Sequence, residues 1–189
     1  KADELEMIVM LGIFYFGQDQ NLKDEQAVIN AVKNSVTWIL QEGYQNVLIE
    51  VNNECNIKAY DHDILKQDRV HGLIEVVKSI EHNGHRLLVS TSYGGNTVPM
   101  SNVVKASDYI LIHGNGVDTT EKMENLIRNT RQVDGYRPMP VVINEDDHYD
   151  FDKAKNNYTV AVENYVSWGF FDYRRDGESY EEGYQSVPV

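Results

Sequence analysis

The sequence predicts an α/β domain built on parallel strands. Three observations carry that expectation. Short β-branched runs alternate with amphipathic helical stretches along the chain, no two strand candidates follow one another without a helical segment between them, and glycines close the longer helices. Such alternation goes with right-handed crossovers between parallel strands. The 189 residues, 41% of them hydrophobic, are enough for one domain with a sizeable core. No linker or low-complexity tract divides them, and the β/α repeat is architectural, without internal sequence similarity.

The first strand is expected over Met7–Phe16, ending at Gly17. Asp24–Gln41 reads as a helix, because Val28, Val32, Val36, Ile39 and Leu40 recur at helical spacing and Gly43 lies just past the end. A strand over Val47–Val51 follows. A second helix, Asp68–Asn83, has Val70, Leu73, Ile74, Val77 and Ile80 on its apolar face and Gly84 as its stop. A strand at Leu87–Ser90 leads into the Gly-rich loop Tyr93-Gly94-Gly95-Asn96. Next come a short helix over Ser101–Ala106, a strand over Tyr109–His113 and a helix over Thr120–Val133. The strand Val141–Asn144, a helix over Asp152–Val166 and a last strand over Trp168–Asp172 complete six strands. Arg174–Val189 reads as a polar, irregular tail. On pattern alone, a doubly wound sheet and a (β/α)8 barrel both remain open.

Composition narrows the function. A net charge of −13 disfavours nucleic acid and anionic membranes as partners and suits a neutral substrate. No apolar run is long enough to cross a membrane as a helix. The single cysteine, Cys55, excludes an internal disulfide. No strand runs into a G-x-G-x-x-G turn and there is no Walker phosphate loop, so no cofactor is expected.

The sharpest local signal is a pair of Asn-Glu dipeptides, each ending a β-branched run. Asn53-Glu54 follows Val47–Val51, and Asn144-Glu145 follows Val141–Ile143. The carboxyl ends of parallel strands are where α/β folds build their sites. Two carboxylates meeting in one cleft can cleave a glycosidic bond. Glu50, inside a strand, is expected to play a packing or ion-pair role facing a barrel interior.

With these residues in place, the chain resembles the clan A glycoside hydrolases, cellulase-like (β/α)8 barrels. In that clan an Asn-Glu ends the fourth strand, the nucleophile Glu ends the seventh, and a Trp commonly marks the eighth. Here Glu54 and Glu145 stand three strands apart, and Ser167-Trp168-Gly169 follows on the next strand. The resemblance implies that the six strands are the third to eighth of a barrel. It also implies that the first two βα units and the last helix lie in the remainder of a longer chain or in another chain. Glu54 would be the acid/base and Glu145 the nucleophile of a retaining enzyme cleaving a β-linked oligo- or polysaccharide. Asn53 would bind the sugar 2-OH, Trp168 would offer a ring face, and His113 falls at an active-site position. Tyr93, Asn96 and Asn115, on strand-end loops, are candidates to line the cleft. A secreted or periplasmic setting goes with the resemblance. Cys55 stands where many members have Pro, and Asp146 and Asp147 directly follow Glu145, so an off-by-one nucleophile has to be tested.

Two other functions stay open. One is a carbohydrate-binding or scaffold barrel without catalysis. The other is a metal-dependent hydrolase using Asp61-His62-Asp63 or the Asp146–Asp150 segment, which are rich in oxygen and imidazole ligands but lack a zinc-type spacing.

Overall fold

The computed structural model describes residues 1–148 and 150–171. The expected end of the last strand at Asp172 and the tail from Arg174 lie outside the described residues.

Six parallel strands form two three-stranded sheets: β1 (Val9–Phe14), β2 (Val47–Asn52) and β3 (Leu88–Ser90), then β4 (Ile110–His113), β5 (Val141–Glu145) and β6 (Ser167–Trp168). In each sheet the strand order follows the sequence, with no reversal. The described residues form no closed barrel. Five helices make the crossovers: α1 (Glu25–Gln41), α2 (His71–Lys78), α3 (Ser101–Ala106), α4 (Thr120–Arg131) and α5 (Asn157–Glu163).

Alternation along the strands divides their side chains between two faces. Ile49 and Val51 of β2 point into a first core with Val28, Val32 and Val36 of α1 and Leu73 of α2. Ile110 and Ile112 of β4 join a second core with Val141 and Ile143 of β5 and Ile127 of α4. The opposite faces carry Glu50, Asn52 and His113.

The two sheets meet at a seam between β3 and β4. The backbone N–H of Asp108 donates to Val89 O (2.9 Å), and the Asp108 carboxylate takes the Val89 N–H (3.1 Å) and both arms of Arg86 (2.7 and 2.9 Å). Deeper in, the Tyr109 hydroxyl donates to Ile49 O across the seam (2.8 Å).

Helix α1 begins where Asp24 accepts the Ala27 N–H (2.8 Å), a capping residue supplying an orphan amide with its partner. Two helices are shorter than the sequence suggests. Residues 66–70 form tight turns that precede α2, and Asp150–Asn156 is a capped loop leading into α5.

Candidate active site

Backbone geometry at the carboxyl end of β2 sets the position of Glu54. The Asn53 N–H donates to Phe14 O (3.0 Å), the Glu54 N–H to Ser92 Oγ (2.8 Å) and the Cys55 N–H to Ser92 O (2.9 Å). The segment is thus strapped to the ends of both neighbouring strands. Glu54 itself takes a left-handed conformation, φ 51°. That conformation costs a non-glycine residue about 1–2 kcal/mol, and three flanking bonds hold it.

Glu145 reaches the same place by a bulge. Ile112 pairs with Ile143, but the next pairing is His113 with Glu145, so Asn144 is an extra residue in β5. Regular alternation from Ile143, which points into the second core, would send Glu145 toward the helices. The bulge returns it to the face of His113.

The two carboxylates converge on His113. Its Nδ1 lies 3.2 Å from Glu54 Oε1 and 3.6 Å from Glu145 Oε2, and one side-chain atom from each of the three lies within 4.8 Å of the others. Facing two carboxylates, Nδ1 serves as the donor. The imidazole is fully buried, whereas each glutamate side chain keeps about a fifth of its surface exposed. Asn115 donates from Nδ2 to Glu145 Oε2 (3.1 Å), fixing that carboxylate from the other side.

An open cleft of about 560 Å³ lies over this cluster, lined by Asn53, Glu54, Asn115 and Glu145 together with Tyr15, Phe16, Gly95, Gly116, Asp147 and Phe171. The cleft is tight at Gly95, where a β-carbon would come within 2.2 Å of Asn115 O. Tyr15, Phe16, Gly95, Gly116 and Phe171 are the lining residues outside the expected site, and Asp147, expected only as an alternative acid or metal ligand, lines the cleft too. Tyr15 and Phe16 could have been found, since both directly follow the end of a strand of a parallel sheet at the same rim as Glu54.

The remaining expected site residues do not line the cleft. Tyr93 is fully buried in the first core, because the loop after β3 turns its ring inward. Asn96 is exposed at a left-handed position (φ 57°), where its N–H holds His113 O (3.0 Å). The Trp168 ring packs edge-on against Phe151 and Tyr158, and its Nε1–H donates to Asp146 Oδ2 (2.7 Å).

Asp146 is buried beneath the site, not aimed into it. Besides Trp168, it accepts the His148 N–H (2.9 Å) and Asn157 Nδ2 (3.4 Å). Burial pushes its carboxyl up to about 6 despite these donors. Asp146, Asp147 and His148 bring ligand atoms together, yet Asp146 is committed to these donors and Asp147 to the Gly116 N–H (2.9 Å) and the His148 ring. The other acidic cluster does not converge: His62 turns to the buried Asp19 (3.1 Å), and Asp63 pairs with Lys66 at the surface.

No known family model matches the chain, and no curated protein sequence matches it.

Proposed function

We propose that the chain is the greater part of a retaining glycoside hydrolase acting on a β-linked oligo- or polysaccharide, with its six strands the third to eighth of a (β/α)8 barrel. The observation that carries this reading is the convergence of Glu54 and Glu145, from strand ends three apart in sequence, on one buried imidazole under an open cleft. One oxygen of each carboxylate lies within 4.8 Å of the other, a closeness compatible with the about 5–5.5 Å between carboxyls that goes with retention. The family resemblance of the Asn-Glu and Trp168 strand ends points the same way. The sequential parallel order within each sheet supports the barrel, as do exposed apolar residues on both flanks, Ile8 and Leu11 at β1 and Val162 and Tyr165 beside β6.

In this mechanism a Glu145 oxygen bonds to the anomeric carbon as the bond to the leaving oxygen breaks, and that oxygen takes the proton of Glu54. Water then attacks the glycosyl ester, giving its proton to Glu54 and releasing Glu145. Asn115 and His113 hold the nucleophile in line. Asn53 is the residue for the sugar 2-OH, and Tyr15 and Phe16 give the substrate an aromatic wall.

The test is hydrolysis of dinitrophenyl β-glycosides and β-glucans by the complete protein. Glu145→Gln should abolish turnover of both. Glu54→Gln should still release a burst of about one equivalent of dinitrophenol, whose departure needs no proton, then turn over slowly for want of the base that activates water, and lose the glucans. An inactive Asp146→Asn protein beside an active Glu145→Gln protein would overturn the assignment. Loss of activity on dialysis against a chelator would favour a metal-dependent hydrolase, and sugar binding without turnover a scaffold.

A further inference from the structure

Glu50 is a buried ionisable residue that the mechanism above does not use. It lies in the middle of β2, paired with Gly12 of β1 and Ser90 of β3, and is 7% exposed. Its Oε1 is buried without a hydrogen-bond partner among the described residues. An unpaired carboxylate oxygen in such a place is costly, and a protein that keeps one in the middle of a sheet has either a use for it or a proton on it.

Its surroundings are the site itself. With Ile49 and Val51 turned into the first core, Glu50 lies on the opposite face of its sheet, as His113 does opposite Ile112 in the other sheet, and the charges of His113 on β4, Glu145 on β5 and Glu54 beyond its own strand each alter the cost of charging it. Tyr109 just before β4, and Tyr60 and Cys55 from the loop after β2, also feel its charge, and burial keeps all three protonated. Ser92 links it to the chain: this hydroxyl favours the charged form of Glu50, and the same oxygen receives the Glu54 N–H.

We propose that Glu50 is a third carboxyl of this site, a positioning residue that shares its charge balance with the Glu54–His113–Glu145 cluster from beneath and sets the pH range in which the cluster works. Burial, the largest influence, raises its carboxyl above the ordinary range, and the charges of Glu145 and Glu54 add to that while His113 opposes it. Groups coupled in this way titrate as a set. The coupling is also reciprocal: whatever the site does to the proton of Glu50, Glu50 does to the protons of the site. The functional half of this inference rests on the glycosidase reading; the coupling itself does not.

The experiment follows the side-chain carboxyl carbon of Glu50 by NMR in the full chain uniformly labelled with 13C and 15N, assigned by through-bond correlation to its own backbone amide. In the unaltered protein the Glu50 midpoint should lie above that of ordinary glutamates. It should fall by about half a pH unit or more in Glu54→Gln and in Glu145→Gln, and rise in His113→Gln, since a unit charge at such range shifts a neighbour by this order. In kcat/KM against pH, Glu50→Gln should move the alkaline limb to lower pH while leaving substrate KM at the optimum within about twofold, a separation that a packing role would not produce. An ordinary Glu50 midpoint, or one indifferent to all three substitutions, overturns the inference, and this arm stands even if Glu50→Gln fails to fold. Coupled midpoints in a protein that hydrolyses no glycoside would uphold the coupling and defeat the glycosidase reading.

Discussion

Glu145 and Asp146 are chain neighbours with the same chemistry and opposite surroundings. One keeps part of its surface open to the cleft, and the other is sealed under Trp168 and Asn157. For Asp146 the consequence is thermodynamic. Its folded carboxyl titrates at about 6 against an ordinary value of 3.8, so between those pH values the unfolded chain gives up the proton and the folded one retains it. Stability from this residue is therefore complete below about pH 4 and drains away as pH rises to about 6, by about 3 kcal/mol. Denaturant midpoints of the unaltered protein and of Asp146→Asn, compared from pH 4 to 7.5, should diverge in favour of the variant across that window, and parallel curves would contradict it. Sequence alone left the choice between the two acids open. Both follow the same β-branched run, and what separates them is a one-residue bulge at Asn144 that no propensity announces. Glu54 and His113 were legible because a strand end is a position that periodicity finds well. Tyr93 was misread because a Gly-rich loop looks exposed in sequence, while the ring beside it fills the core next to Cys55.

At the scale of elements, all six strands and five helices were foreseen, and the errors lie at their ends. Helix α5 shows why. Its apolar spacing extends back to Asp152, yet the helix starts only after Asn156, whose side chain accepts the Thr159 N–H (2.9 Å) while Thr159 Oγ1 accepts the Asn156 N–H (2.9 Å). This reciprocal cap decides where the first turn begins, and hydrophobic spacing does not record it. The cap also places Asn157, which donates to Val117 O (2.9 Å) and to Asp146. Asn156→Ala should lower stability by about 1 kcal/mol, seen as a lower urea midpoint with an unchanged slope. An unshifted midpoint would mean that α5 is held by packing alone.

For the whole molecule, the parallel, sequential order was readable because each strand is followed by a segment long enough to cross over, and hairpins are thereby excluded. Closure was not readable, because nothing in a strand's own residues states which strand lies beyond an edge. The exposed apolar side chains do bear on it: Ile8 is 68% exposed, Trp38 56% and Tyr165 94%. Open edges with such neighbours invite association. Sedimentation of the 189 residues alone should show concentration-dependent self-association, and a stable monomer at high concentration would count against the incomplete barrel. The seam between the sheets has a consequence of its own. Glu54 belongs to one sheet and core, and His113 and Glu145 to the other, so the gap between the carboxylates is a sheet-to-sheet distance, tuned by the Tyr109–Ile49 and Asp108–Val89 bonds well below the rim. On the glycosidase reading, the anomeric configuration of the released sugar becomes a gauge of that joint. Tyr109→Phe, which touches no substrate, would slacken it and make room for a water between the carboxylates, and inverted product would begin to leak into a reaction that otherwise retains configuration.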